Sequence, residues 1–137
     1  MKKVLAIVVG GGPAPGVNGV ISSATIEAIN HGMEVVGIKG GFKGLFDGDP
    51  SCAVPLSVSD VSRIHTSGGS ILRTSRDYPE KVKEKFSTLM STLKKLKTNS
   101  LVTVGGEGTL FMANWIEKES RGSINVVHVP KTIDNDI

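Results

Sequence analysis

Short aliphatic runs, rich in β-branched residues, recur along the chain, and most end in glycine or a polar cluster. The first is Lys3–Val9, apolar at every position from Val4 onward. So short a run, without alternation, predicts a strand covered on both faces. Val17–His31 predicts a helix, with Pro15 ahead of it and Gly32 just past its end. Glu34–Ile38 predicts a second strand, and the glycine-spaced "KGGFKGLFDGDP" after it a loop. Ser57 to Asp60 (Ser-Val-Ser-Asp) has the form of a helix start, and "HTSGGSILRTSRDYP" that of an irregular loop. Over Pro79–Lys97, Phe86, Leu89, Met90, Leu93 and Leu96 interleave with lysines, predicting one long amphipathic helix. A third strand at Leu101–Val104, a helix from about Thr109 to Glu119 and a fourth strand at Asn125–Val129 complete the series.

Short buried strands alternating with helices predict an α/β fold, a doubly wound, mostly parallel sheet with helices on both faces (Rossmann-like). No internal repeat or interdomain linker interrupts the pattern. Ligands of such sheets gather at the carboxyl ends of the strands. Here "GGGPAPG", "GGEGT" and "KTIDND" each follow a strand, so the topology predicts that they converge along one edge.

Composition adds bounds. A chain of 137 residues is one domain's length. Its 17 glycines exceed the usual share of roughly 7% and sit at the ends of apolar runs, suiting backbone placed close to a ligand. A net charge of +3 is too weak and too scattered to argue for nucleic acid. Lys81, Lys83, Lys85, Lys94, Lys95 and Lys97 read as a solvated helix face, and an anionic small substrate fits the overall charge. Cys52 is the only cysteine; it has no basic neighbour in sequence and reads as structural, in a reducing compartment. His31, His65 and His128 lack metal-ligand spacing, and Met112 and Trp115 fall at helical spacing for a core. No apolar stretch approaches the roughly 20 residues of a membrane span, so the expectation is a cytoplasmic, soluble protein.

The motifs carry chemistry of one kind. In "GGGPAPGVN", Gly10 to Asn18, glycines would let backbone approach a phosphate at a helix N-terminus, although a tight strand–helix turn has the same composition. Spacing excludes two better-known loops. Pro15 stands where the dinucleotide fingerprint needs Gly or Ala, and Gly16 is followed by Val17 and Asn18 instead of Lys and Ser/Thr. In "GGEGTL", Glu107 is either an acidic first-turn helix residue or a ligand for Mg²⁺ held jointly with phosphate oxygens. "KTIDND" offers Lys131 to a phosphate and Thr132 as a hydroxyl donor. Asp134 and Asp136 fall on one side of an extended chain, so that one carboxylate can take a proton while the other holds metal or substrate. "SGGSILRTSR" contributes two arginines, the side chain best suited to neutralising a transferring phosphoryl group.

Taken together, "GGPAPGVN", "GGSILRTSR", "GGEGT" and "PKTIDNDI" resemble the 6-phosphofructokinase family, motif after motif in the family's order from Met1 to Ile137. The resemblance implies Mg²⁺-dependent transfer of a phosphoryl group to the 1-hydroxyl of fructose 6-phosphate. It implies Asp134 as general base, Thr132 at the transferring group and Asp136 in support of metal or substrate. Gly12 and Arg76 would contact the donor phosphates, Arg76 also stabilising the transition state, with Gly106, Gly108, Thr109 and Lys131 in the donor site. Glu107 stands at the metal-carboxylate position, where Asp is commoner in the family. Gly108 leaves room for ATP, whereas Lys131 is the partner met in pyrophosphate-using members. ATP is the expected donor and pyrophosphate the alternative. Ser22 and Ile26 replace the family's effector-binding arginines, so allosteric control of the usual bacterial kind is not expected. Family members are two to three times longer. The chain therefore reads as the N-terminal, donor-binding part of a homo-oligomeric enzyme, inactive alone, with no nucleic-acid or membrane partner. Two rival readings are the NAD kinase and lipid kinase group, which lacks "TIDND", and a non-catalytic nucleotide- or phosphate-binding module.

Overall fold

The computed structural model describes residues 2–12, 14–76 and 79–131. Five strands form one sheet in the order β3-β2-β1-β4-β5. They are β1 (Val4–Val9), β2 (Glu34–Ile38), β3 (Ala53–Pro55), β4 (Thr98–Gly105) and β5 (Asn125–Pro130). β1 pairs in parallel with β2 and with β4, and β4 in parallel with β5; β3 alone runs antiparallel, along the outer edge of β2. The helices are α1 (Val17–Asn30), α2 (Lys43–Phe46), α3 (Val58–Val61), α4 (Pro79–Glu84), α5 (Phe86–Lys95) and α6 (Glu107–Glu119).

The unbroken apolar run of β1 has a direct cause in this arrangement. Leu5, Ile7 and Val9 belong to a core completed by Val17, Ile21 and Ala28 of α1 and Val61 of α3. Ala6 and Val8 point the other way, into a core shared with Leu45, Val82, Leu89, Leu93, Met112 and Ile116. A central strand buried on both faces has no polar position to alternate with.

The structure revises several predicted elements. The glycine-spaced loop after β2 contains the one-turn helix α2, then a 3-10 turn at Pro50–Cys52 leading into β3. The predicted long helix over 79–97 is two helices that part at Lys85, where φ −109° and ψ 19° leave helical geometry. α4 packs against α6 and α5 against α2, so the change of direction gives each segment its own neighbour. Among the lysines expected on a solvated face, Lys83 is engaged: its Nζ stands 4.7 Å from the Trp115 ring centroid. β4 begins at Thr98, and α6 at Glu107. Ser57 does start α3, its side chain and that of Asp60 forming a reciprocal capping box. Among the described residues, no helix is long and apolar enough to cross a membrane.

Candidate functional site

β1 is where the winding reverses. β2 lies on one side of it and β4 on the other, with α1 and α6 on opposite faces of the sheet. The carboxyl ends of β1 and β4 therefore flank the crevice in which doubly wound sheets bind ligands. They are tied together directly, the Gly10 N–H donating to the Val104 carbonyl at 2.8 Å.

Each strand end opens into a helix through glycine. Gly11 and Gly16 take left-handed φ values of 75° and 86°, and Gly16 stands immediately before α1. No side chain caps α1 and no acidic residue occupies its first turn, so its positive end is unanswered from within the helix. The start of α6 is built alike: Gly106 is its N-cap, again with no side-chain cap, and Glu107 is its first residue. A Cβ on Gly105 would fall on the buried side chain of Thr109, which accounts for glycine at that position. Two helix N-termini thus open beside each other at the switch point, the arrangement that accepts phosphate groups.

Two further segments join this edge. The Lys131 N–H donates to the Gly105 carbonyl at 2.9 Å, bringing the end of β5 against the "GGEG" turn. The loop preceding α4 comes alongside β1 through a Gly10–Ser75 bridge, with the Gly11 N–H donating to the Ser75 carbonyl at 3.0 Å. Asn18, buried in the first turn of α1, holds the start of that loop. Its Nδ2 donates to the carbonyls of Ser67 and Gly68 at 3.0 and 3.3 Å, and its Oδ1 accepts from the Ile71 N–H at 2.8 Å. Arg76 is carried in this way to the crevice.

Beside Arg76 lies a cavity of about 420 Å³ between α2 and α4. Phe42 and Phe46, stacked with centroids 6.0 Å apart, supply its aromatic surface, while Lys43, Arg76, Lys81 and Lys85 line it with positive charge. Among the described residues, Asp47 is the one carboxylate of the lining, bonded to Lys43 at 2.6 Å. That hydrogen bond holds the Asp47 carboxyl below its ordinary range and raises the Lys43 amine. A flat, mostly apolar ligand joined to an anionic tail fits such a lining.

The predicted site residues divide accordingly. Gly12, Arg76, Gly106, Glu107, Gly108 and Lys131 lie on the edge formed by the ends of β1, β4 and β5 and the adjoining loop. Thr109 shares this edge, but its side chain is fully buried against Gly105. Thr132, Asp134 and Asp136 lie outside the described residues. Among those described, no group of three or more His, Cys, Asp or Glu side chains gathers as a metal site. Glu107 is exposed at the crevice, and a single carboxylate acting with phosphate oxygens fits the way Mg²⁺ is usually held. Phe42, Lys43, Phe46, Lys81 and Lys85 were not foreseen as site residues. The only signal was two phenylalanines four apart inside an apparent loop, the spacing of one helical turn. Outside the site, His128 pairs with Thr103, Nδ1 to Oγ1 2.8 Å. Cys52 is partly buried, which pushes its thiol up, in line with a structural role.

A family profile described as phosphofructokinase matches residues 4–137. The pyrophosphate–fructose 6-phosphate 1-phosphotransferase of Thermotoga maritima is 58% identical to this chain, covering 100% of it and 33% of that protein. The ATP-dependent 6-phosphofructokinase of Thermotoga petrophila is 42% identical, again over 100% of this chain and 41% of that protein. Among solved structures, the phosphofructokinase of Pichia pastoris in the T-state superposes with a TM-score of 0.89 at 27% identity. The match covers 99% of this chain and 16% of that one. The chain thus spans well under half the length of these relatives.

Proposed function

Since the chain belongs to the phosphofructokinase family, we propose that it forms the N-terminal, donor-binding part of an enzyme that phosphorylates the 1-hydroxyl of fructose 6-phosphate, with ATP as donor. The observation that carries the choice of donor is the 420 Å³ cavity with its aromatic surface, lined by Ser75 and Arg76 of the loop that runs alongside the end of β1. A purine fits against Phe42 and Phe46, and the triphosphate then runs past Arg76 toward the amides that open α1 and α6.

Catalysis on this reading is positioning and charge neutralisation of an in-line transfer. The Gly12 backbone and the start of α6 hold the non-transferred phosphates. Arg76 balances charge building on the equatorial oxygens. Glu107 would hold Mg²⁺ together with phosphate oxygens, and the ion would supply further charge neutralisation there. Asp134 takes the proton of the attacking sugar hydroxyl, Thr132 contacts the moving phosphoryl group, and Asp136 supports the metal or the substrate.

Pyrophosphate is the second reading, favoured by the name of the 58% identical relative and by Lys131, whose backbone is bound to Gly105 at the crevice. The deciding experiment measures fructose 1,6-bisphosphate formation by the full-length protein with Mg²⁺, using ATP and pyrophosphate in parallel. Turnover with ATP supports the cavity as a base site. Turnover with pyrophosphate alone assigns the donor to the second reading. Absence of product with both, in a folded protein, leaves a phosphate-binding module and sinks the kinase.

A further inference from the structure

The Thr74 hydroxyl takes no part in the chemistry described above, yet it lies directly behind the glycine turn that ends β1. Its Oγ1 stands 3.2 Å from the Val9 carbonyl oxygen and 2.5 Å from that of Gly11. A hydroxyl has one hydrogen to donate, and the shorter contact marks Gly11 as its principal acceptor. The carbonyl of Gly11 and the N–H of Gly12 belong to the same planar trans peptide and so point in opposite directions. Holding the Gly11 oxygen inward, toward Thr74, turns the Gly12 N–H outward. Gly12 is exposed there, and among the described residues a Cβ built on it would meet no heavy atom within 4 Å. Two peptides back, the Val9–Gly10 unit is fixed in the same sense, with the Val9 oxygen toward Thr74 and the Gly10 N–H bound to Val104 on β4.

From this geometry we infer that Thr74 is a positioning residue that sets the direction of the Gly11–Gly12 peptide, and through it presents the Gly12 N–H to a donor phosphate. Glycine at 11 makes the restraint necessary. With φ at 75° and no side chain, this peptide can rotate at little steric cost, and Thr74 selects one orientation of it. The inference rests on the phosphoryl-transfer reading for what the amide binds, but not for how the peptide is held.

The test compares full-length Thr74→Val, close to threonine in shape but without the hydroxyl, with Thr74→Ser, which keeps it. In Thr74→Val the KM for whichever donor the wild type uses should rise by about fivefold to tenfold, the worth of one hydrogen bond. The KM for fructose 6-phosphate should stay within about twofold, and Thr74→Ser should restore the donor KM. A merely structural threonine would leave both KM values alone or move them together, and either result overturns the inference. If the wild type phosphorylates no sugar, the kinase reading fails and amide exchange decides on Thr74 alone. Gly12 exchange should then differ about tenfold between Thr74→Val and wild type, with Thr74→Ser like wild type. Equal exchange in all three also overturns it.

Discussion

Asn18 ties the loop that carries Arg76 to this edge of the molecule. One buried amide answers three backbone groups of a loop about fifty positions away, using both of its donors and its acceptor. Asn18→Ala leaves the Ile71 N–H and two carbonyls to find other partners, at a cost of about 2 kcal/mol. The urea midpoint should fall correspondingly, with the slope of the transition unchanged. Asn18→Asp does not rescue it, because a carboxylate can accept from Ile71 but cannot donate to Ser67 and Gly68. Nothing in "PGVNGV" advertises this duty. A polar residue in the first turn of a helix reads as a local capping feature, and its partners become visible only when the loop is folded against it.

At the scale of elements, legibility depended on whether a boundary was marked by a side chain. The strand ending at Val9 and the helix between Pro15 and Gly32 were plain, because apolar continuity and Pro/Gly punctuation coincide there. The break at Lys85 was hidden for a physical reason: Val82 on α4 and Leu89 and Leu93 on α5 face the same core, so the apolar period passes through the bend uninterrupted. α6 starts two residues before the predicted Thr109, its cap, Gly106, having no side chain to mark the boundary. β4 extends back to Thr98 through polar residues that pair with β1, and the Asn99 side chain accepts from the Val4 N–H where the register shifts. The close of α5 carries a strained position. Lys97 has φ 58°, a left-handed conformation that costs a side chain on the order of 1 kcal/mol. Lys97→Gly should raise the denaturation midpoint slightly, whereas Lys97→Val, β-branched at the same φ, should lower it, the loss of stability being about 1 kcal/mol or more. Equal midpoints for the two variants would show that φ at this position carries no cost.

For the whole molecule, the glycine motifs were found in sequence because each follows its own strand. The cavity was not, because its walls come from α2, α4 and the loop preceding α4, which share no local pattern. This difference gives a direct test of donor choice. Phe42 is buried and supplies aromatic surface beside the cavity without being placed near any phosphate. Phe42→Leu, which keeps most of the apolar volume, should raise the KM for ATP by about fivefold to tenfold through loss of ring stacking. The KM for pyrophosphate, which has no base to stack, should change less than about twofold. Equal effects on both donors would remove the cavity from the argument for ATP.

The strand order bears on how the chain is made. β1 is the central strand but the first to be synthesised, and its partner on one side, β4, begins only at Thr98. After β2 has paired, the other edge of β1 waits while Lys39 to Lys97 are added, on the order of several seconds at ~5–20 residues per second. During that interval "VLAIVV" presents unpaired backbone and apolar faces of the kind that recruit strands from other chains. Slowed translation or scarce chaperone should therefore harm yield through this segment, even where the finished fold is stable.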